Sequence, residues 1–252
     1  MKVGIIGCGA ISNLIVNQLQ TEKDIKFTHF FDKNIKEAEK IAQKTGGTAC
    51  QTYKEMLNEV DLVLEAASQQ LLKQIAPEIL EHTNLLNMSI GALMDKKLLT
   101  QMIQTAKKHN THIYAPSGAI LGIDGLKSAC IGEIQTIKLT TKKSPKSLGI
   151  KTQEKKTLFK GKASQAVQDY PKNMNIAATI SLAAKQDIDV EVIVDPTITQ
   201  NTHELKVKGT FGQFHLKTQN KPSQENPKTS ELAALSAIEK IKNLNQQLHI
   251  GN

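Results

Sequence analysis

The sequence predicts an α/β protein in which a doubly wound parallel sheet is followed by a second domain of the α+β class. Short apolar runs alternate with helical segments as far as residue 115, and the first run ends in a glycine-rich turn. After Pro116 the pattern changes to strands in which apolar and polar residues alternate. Runs separated by helices are typical of a parallel sheet covered on both faces, and alternation is typical of a sheet covered on one face.

The first element is an apolar strand over residues 1–6 that leads through a glycine turn into a helix. Gly7 permits a tight turn, and Gly9 has no side chain, so a pyrophosphate can approach the backbone at the helix N-terminus. The third glycine of the usual dinucleotide-binding pattern is replaced by Ser12, which is small enough for close packing of helix and strand. Cofactor contacts are predicted at Gly7, Gly9, Ala10 and Ile11.

A second apolar strand over residues 27–31 ends in Asp32, at the spacing expected of a carboxylate that holds the ribose hydroxyls of a dinucleotide. A carboxylate there repels a 2′-phosphate, so we expect NAD to be preferred. Lys33 and Lys36 lie nearby and leave NADP possible.

The remaining elements of the first half continue the alternation, and Ser68 follows a buried strand. Ligands of doubly wound sheets bind outside the carboxyl ends of the strands, so Ser68 is a candidate cofactor contact, although a helix cap is an equally good interpretation. Helices are predicted over residues 34–45, 53–58, 70–81 and 95–109, and strands over 48–50, 61–66, 85–89 and 112–115.

The second half has fewer helices and more alternating strands. Strands are predicted over residues 133–142, 189–195, 202–209 and 211–217. Residues 156–160 are expected to pair with the first of these strands. An alanine-rich helix is predicted over 172–186, and loops are predicted over 144–151 and 219–227. The alternation favours an antiparallel sheet. The amphipathic segment at 230–241 predicts a final helix, so we expect a dinucleotide-binding domain over 1–116 with residues 228–252 packing back on it, and a second domain over 117–227.

Composition excludes several function classes. The net charge is +8, yet the chain has no arginine and its lysines are spread along the sequence, which argues against nucleic-acid binding. No apolar run is long enough to span a bilayer, and no secretion signal is evident, so a cytoplasmic protein without a membrane is expected. The three cysteines are widely separated and lack metal-ligand spacing, so no metal site is predicted.

Five phrases in the second half, in this order, resemble the L-aspartate dehydrogenase family that feeds NAD biosynthesis. The resemblance covers nearly the whole chain. The phrases are Tyr114-Ala115-Pro116-Ser117-Gly118-Ala119-Ile120-Leu121-Gly122-Ile123-Asp124-Gly125-Leu126, Tyr170-Pro171-Lys172-Asn173-Met174-Asn175-Ile176-Ala177-Ala178-Thr179, Asp195-Pro196, Asn201-Thr202-His203-Glu204 and Asn226-Pro227-Lys228-Thr229-Ser230.

The resemblance implies an N-terminal Rossmann-type domain and a C-terminal domain of mixed sheet like that of dihydrodipicolinate reductase. It implies oxidation of L-aspartate to iminoaspartate with NAD or NADP, and a homodimer formed through the second domain. Iminoaspartate then hydrolyses to oxaloacetate and ammonia or passes to quinolinate synthase.

The resemblance also assigns site residues. The family's active-site histidine falls on His203, and cofactor contacts fall on Ala119 and on either Asn173 or Asn175. Histidine suits acid–base work because its ordinary pKa is near 6.5. The two asparagines are also candidate helix caps.

Lysines are the candidates for the substrate carboxylates, since no guanidinium is available. The resemblance places Lys142 at a position where the family often has arginine. Lys228 and Thr229 lie at the start of the last helix, where a carboxylate can dock on free N–H groups. Lys143 is a candidate too, although an ordinary solvated lysine is the favoured interpretation of it.

Two other functions stay open at this point: an imine reductase of the dihydrodipicolinate type, and a non-catalytic NAD-binding sensor. The sequence does not decide the physiological direction of the reaction or between a dimer and a tetramer.

Overall fold

The computed structural model describes residues 1–171, 174–221 and 230–250. The chain divides into two compact units. The first consists of Met1–Pro116 with Ala234–Gln247, and the second of the described residues within Ser117–Ala233 and Leu248–Asn252.

The first unit is built on a parallel sheet of six strands in the order β3-β2-β1-β4-β5-β6. Its strands are β1 (Lys2–Ile6), β2 (Lys26–Phe31), β3 (Thr48–Ala49), β4 (Leu62–Glu65), β5 (Asn84–Asn87) and β6 (Ile113–Tyr114). All its strand pairs are parallel. The order reverses beside β1, so the predicted doubly wound sheet is confirmed and its switch point lies at the glycine turn.

Helices connect these strands at nearly the predicted positions. They are α1 (Ala10–Leu19), α2 (Ile35–Thr45), α3 (Gln69–His82) and α4 (Lys96–His109), with short 3-10 helices at Tyr53–Met56 and Ile90–Met94. Asp95 caps α4 by accepting from the N–H groups of Lys97 and Leu98. The strands β1, β4 and β5 are almost fully buried, as expected when helices cover both faces of a sheet.

The second unit is built on a sheet of five strands in the order β11-β10-β7-β9-β8. The strands are β7 (Ile134–Lys143), β8 (Lys156–Lys162), β9 (Asp189–Val194), β10 (Asn201–Gly209) and β11 (Gly212–Asn220). Its helices are α5 (Ile123–Ala129), α6 (Pro145–Leu148), α7 (Ala163–Asp169) and α8 (Asn175–Ala184). The mixed sheet implied by the family resemblance is confirmed, because β7 and β9 run parallel while the other pairs are antiparallel.

Two expectations about this sheet are wrong. Residues 156–160 were expected to pair with β7, but β8 pairs with β9, because β9 and β10 occupy both edges of β7. The sheet is also not wholly antiparallel. Alternation specifies which face of a strand is buried, and it carries no information about the neighbour or its direction.

Three helices of the second unit were not predicted. The expected loop over 144–151 contains α6, where Ser144 Oγ accepts from the N–H of Ser147 and Pro145 occupies the first turn. The helices α5 and α7 have only 7 residues each, too few to display a helical apolar period.

The last helix is α9 (Glu231–Asn243). Ala237 and Ile241 of α9 are fully buried. Within the first unit, Lys242 Nζ lies 2.9 Å from Glu22 Oε1. Among the described helices, none combines the length and the apolar character needed to cross a membrane.

Candidate active site

Gly7 forms the turn that joins β1 to α1. Its φ is +92°, and a Cβ added there would lie 2.7 Å from the backbone nitrogen of Ala67. Only glycine fits both the conformation and the space. The Gly7 N–H donates to the Phe31 carbonyl at 2.8 Å, which fixes the turn against β2.

Gly9 serves a different purpose from Gly7. It is exposed, precedes the first residue of α1, and a Cβ added there would have no atom within 4 Å. The first N–H groups of the helix, at Ala10 and Ile11, are therefore not covered by a side chain of residue 9. This open helix N-terminus fits a diphosphate, which free N–H groups and the helix dipole both favour.

Ser12 takes the place of the third glycine and is fully buried. Its Oγ donates to the Gly7 carbonyl at 2.6 Å. The hydroxyl therefore closes the turn from inside, and the departure from the glycine pattern leaves the turn intact.

Asp32 lies at the end of β2 and faces the glycine turn. Its Oδ2 accepts from the Cys8 N–H at 2.8 Å, and its Oδ1 accepts from the Asn34 N–H at 2.9 Å. A carboxylate has about four lone-pair sites, so both oxygens keep acceptor capacity for ribose hydroxyls. The contact with Cys8 was not predicted from the sequence.

Gly7, Gly9, Asp32 and Ser68 line one cavity of about 500 Å³ in the first unit. This volume is in the range of small-molecule sites. Ser68 is also the cap of α3, because its Oγ accepts from the Leu71 N–H at 3.2 Å. Both interpretations of Ser68 are therefore compatible with its position. The residues present fit the adenosine and pyrophosphate parts of a dinucleotide.

Glu65 and Asn87 were not predicted, and they lie in register at the carboxyl ends of β4 and β5. Glu65 is fully buried and accepts from the Ala67 N–H and the Ser89 hydroxyl, both at 2.8 Å. Burial raises the pKa of its carboxyl, while these hydrogen bonds act in the opposite direction. Both amide atoms of buried Asn87 have no hydrogen-bond partner among the described residues. The signal in the sequence was a polar residue at the end of an apolar strand.

In the second unit, His203 belongs to a row of side chains that crosses four strands. Thr218, His203, Thr141 and Val192 are directly paired across β11, β10, β7 and β9. His203 is 1% exposed, and its Nδ1 lies 3.1 Å from Thr141 Oγ1. We call these four residues the His203 row.

A second row lies two residues further along each strand, on the same face. Asn220 pairs with Asn201, and Lys143 pairs with Val194. Since Thr202 is opposite Lys142, the next pair along β10 and β7 is Asn201 and Lys143. All four side chains are buried. We call these residues the Lys143 row.

The expectation that Lys143 is solvated is wrong, because its side chain lies inward and is only 5% exposed. Ile137, Leu139, Thr141 and Lys143 follow one another at every second position of β7, and all four are buried. The alternation of β7, extended by one residue, was the signal that could have found Lys143.

Burial governs the charge of both ionisable groups in the two rows. It lowers the pKa of the Lys143 ammonium to about 8. It also lowers the pKa of the His203 imidazole to about 3, with a smaller contribution from the positive charge of Lys143. At neutral pH, His203 is therefore a neutral base beside a lysine that is largely protonated.

Lys142 lies on the opposite face of β7 from Lys143, and its Nζ pairs with Glu204 Oε1 at 2.9 Å. The structure therefore does not bring Lys142 to His203. Ala119 is buried, and its carbonyl accepts from Asn220 Nδ2 at 2.8 Å, which ties it to the Lys143 row.

Asn175 is the first residue of α8 and follows the N-cap position, which Met174 occupies. The interpretation of Asn175 as a simple cap is therefore not supported. Asn173, Lys228 and Thr229 lie outside the described residues.

Two family models match the chain. Residues 7–116 match the NAD-binding domain of homoserine dehydrogenase, and residues 124–244 match the C-terminal domain of aspartate dehydrogenase. The second match spans both rows of the second unit.

Curated relatives are similar along their whole length. The L-aspartate dehydrogenase of Methanothermobacter thermautotrophicus is 46% identical over 100% of this chain and 98% of its own. The L-aspartate dehydrogenase of Methanosarcina mazei is 42% identical over 100% of this chain and 99% of its own.

Solved structures are similar as well. The aspartate dehydrogenase of Thermotoga maritima superposes with a TM-score of 0.83 at 26% identity, covering 100% of this chain and 99% of that one. GenD2 from gentamicin A biosynthesis, solved in complex with NAD, superposes with a TM-score of 0.60 at 10% identity and covers 99% of this chain and 88% of that one. This similarity reflects the fold alone.

Proposed function

The chain belongs to the L-aspartate dehydrogenase family, and from this membership we propose that it oxidises L-aspartate to iminoaspartate with a nicotinamide cofactor. It is an oxidoreductase with an NAD(P)-binding domain. The observation that carries the proposed substrate is the 46% identity along the full chain to a curated L-aspartate dehydrogenase. The buried position of His203, inside the region matched by the aspartate dehydrogenase model, supports it.

NAD is proposed as the preferred cofactor because Asp32 faces the cavity of the first unit. Its carboxylate is placed to accept from a ribose 2′-hydroxyl and to repel a 2′-phosphate. A wild-type enzyme with higher kcat/KM for NADP than for NAD would contradict this preference.

When bound, the nicotinamide would supply the hydride acceptor for Cα of the substrate. The protein must first remove one proton from the substrate ammonium group, because the freed nitrogen lone pair lets the hydride leave. Aspartate and NAD⁺ then give iminoaspartate in its iminium form, NADH and a proton. His203 is proposed as the acid–base group. A proton on Nδ1, donated to Thr141 Oγ1 at 3.1 Å, leaves the lone pair of Nε2 free at neutral pH. The negative charge of a bound substrate would raise the low pKa of His203 toward the range of a working base.

The experiment follows NADH absorbance with L-aspartate as substrate. We expect turnover by the wild type, and a loss of at least about 100-fold in kcat for His203→Ala, the usual range for a lost acid–base group. NAD affinity should stay unchanged. The matched control is His215→Ala on the neighbouring strand β11, whose side chain is 50% exposed and which should keep wild-type turnover.

A wild type that binds NAD and turns over no L-aspartate at any pH between 6 and 10 contradicts the proposal. Full activity of His203→Ala contradicts the role of His203. The alternatives give different results: a sensor binds cofactor without turnover, and an imine reductase consumes NADH with an unsaturated cyclic imine.

The fate of the product belongs to the same proposal. Free iminoaspartate hydrolyses to oxaloacetate and ammonia, and direct transfer to quinolinate synthase would instead lead to NAD biosynthesis. A homodimer formed through the second domain, the domain division at residues 1–116 and 117–227, and a cytoplasmic location stay predictions. Cofactor contacts at Ala119 and at Asn173 or Asn175, and substrate contacts at Lys228 and Thr229, also stay predictions. A substrate contact at Lys142 is not proposed again, because its ammonium pairs with Glu204 on the face of β7 opposite Lys143.

A further inference from the structure

The Lys143 row contains polar side chains that the proposed chemistry does not use. Asn201 is 2% exposed, and Thr218 of the neighbouring His203 row is 5% exposed. Both lie on the face of the sheet that further along carries Leu139, Leu205 and Val207 in the core. Polar groups in such a place require an explanation.

Two of these groups have hydrogen-bonding capacity that the described part of the chain leaves unused. Asn201 Oδ1 and Thr218 Oγ1 are buried and have no hydrogen-bond partner among the described residues. A buried polar atom without a partner costs about 1–3 kcal/mol. Such atoms are rare in folded proteins, and a bound molecule that completes the hydrogen bonds is one explanation for them.

The chemistry of the three groups defines a ligand class. The Lys143 ammonium favours an anion, and the Asn201 carbonyl oxygen can only accept, so it requires an N–H or O–H donor. Neighbouring side chains across a pair of strands lie about 5 Å apart at Cβ. A small molecule that carries an amino group close to a carboxylate satisfies both groups at once.

We propose that the Lys143 row binds the amino-acid substrate, with Lys143 Nζ on one carboxylate and Asn201 Oδ1 accepting from the amino group. Thr218 Oγ1 supplies a further hydrogen bond to the bound molecule. This inference rests on the proposed function, and it names the lysine that replaces arginine in carboxylate binding. The neighbouring His203 row then lies one two-residue step away, about 6.5 Å along the strands.

The structure distinguishes Lys143 from the adjacent Lys142. The Lys142 side chain is 28% exposed and its ammonium is paired with Glu204 on the opposite face of β7. A change at Lys142 therefore gives a matched control, since it removes the same charge from the same strand at a place outside the proposed pocket.

The test measures binding by titration calorimetry to the NADH-loaded enzyme, in which no oxidation of aspartate takes place. The two probes are L-aspartate and succinate, which has both carboxylates and no amino group. We expect Lys143→Met to raise the Kd of both probes by at least 30-fold. Asn201→Leu should raise the Kd of L-aspartate by at least 10-fold and that of succinate by less than 3-fold. Lys142→Met should change neither Kd by more than 3-fold.

Thermal melts check that each variant is folded, and Lys143→Gln replaces Lys143→Met should the latter fail to fold. Wild-type affinity for succinate in the folded Lys143 variant overturns the carboxylate assignment. Equal weakening of both probes by Asn201→Leu overturns the amino-group assignment. A wild type that binds neither L-aspartate nor succinate contradicts the proposal that the Lys143 row binds the substrate.

Failure of this inference is distinct from failure of the proposed function. A wild type that binds both probes as described and oxidises no L-aspartate contradicts only the proposed function. A wild type that oxidises L-aspartate, while both variants bind the probes normally, contradicts only the pocket.

Discussion

At the scale of single residues, Lys142 and Lys143 show how strongly position determines the state of a side chain. They are adjacent in β7, yet one is ion-paired at the surface side and the other is buried. Successive residues of a strand point to opposite faces, so this contrast follows from the backbone alone. Their expected effects on stability differ accordingly.

We predict that Lys143→Met stabilises the folded protein at pH 7. The folded-state pKa of Lys143 is about 8 against 10.5 for a free lysine, so the unfolded state holds more protons between these values. Stability therefore rises with pH across that window, and below pH 8 the buried ammonium opposes folding by roughly 3 kcal/mol. Methionine fills the same space without charge. Thermal melts should show a rise of several degrees at pH 7.

The same melts at pH 10.5 supply the check on mechanism. The advantage of Lys143→Met should shrink there, because the lysine is then neutral in the folded state and only half protonated in the unfolded state, so little of the cost of burying a charge is left. Lys142→Met should change the melting temperature by little at either pH, since partly exposed ion pairs contribute about 0–1 kcal/mol. A Lys143→Met variant less stable than the wild type at pH 7 would show that burial does not strain this ammonium.

The sequence allowed His203, Asp32 and the glycines to be predicted because each belongs to a recognisable phrase. It did not reveal that Asp32 also accepts from the Cys8 N–H. It also did not reveal that Asn201 and Thr218 have buried oxygens without partners among the described residues. Both facts depend on atoms from segments that are distant in sequence, and the local sequence pattern does not predict such contacts.

At the scale of elements, the turn between β1 and α1 uses its two glycines for separate purposes. Gly7 has a positive φ and no room for a Cβ, whereas Gly9 has room on every side. Gly7 is therefore required by the backbone conformation of the turn, whereas Gly9 leaves space for a bound cofactor.

We predict opposite outcomes for Gly7→Ala and Gly9→Ala. The first should lower the free energy of unfolding by about 2 kcal/mol or more, from backbone strain and from the contact with Ala67. The second should leave the melting temperature within about a degree or two and raise the Kd for NAD by about 10-fold or more, the effect of about 1.4 kcal/mol. Chemical denaturation measures the free energy of unfolding, and titration calorimetry with NAD measures the Kd. Unchanged NAD affinity in a stable Gly9→Ala protein would exclude a close approach of the cofactor at this residue.

Helices and strands were predictable where the segment was long enough to show its hydrophobic period. The strands β9, β10 and β11 and the helix α4 lie within a few residues of their expected bounds. The partner of β8 was not predictable, because pairing is decided between segments far apart in sequence. The helices α5 and α7 were missed because one or two turns do not establish a period.

At the scale of the whole molecule, the first unit is discontinuous in sequence. Residues 1–116 form it together with Ala234–Gln247, which come at the end of the chain. The fully buried Ile241 belongs to this late segment. The first unit is therefore complete only after nearly the whole chain is available.

We predict that Ile241→Ala lowers the free energy of unfolding by about 2–5 kcal/mol, the usual cost of emptying a core position. The control is Leu235→Ala on the same helix, where the side chain is 41% exposed and the expected change is within about 0.5 kcal/mol. Equilibrium denaturation followed by circular dichroism measures both. Equal, small effects would indicate that α9 contributes little to the stability of the first unit.

The two rows across β11, β10, β7 and β9 have a consequence for how such an enzyme could change during evolution. His203, proposed for proton transfer, lies in one row, and Lys143 and Asn201, proposed to hold the carboxylate and the amino group of the substrate, lie in the next row of the same sheet. Exchange of Lys143 would change which carboxylate-bearing substrate is held while His203 and Thr141 stay in place. A new specificity would then require a substitution on the sheet and no rebuilding of a loop.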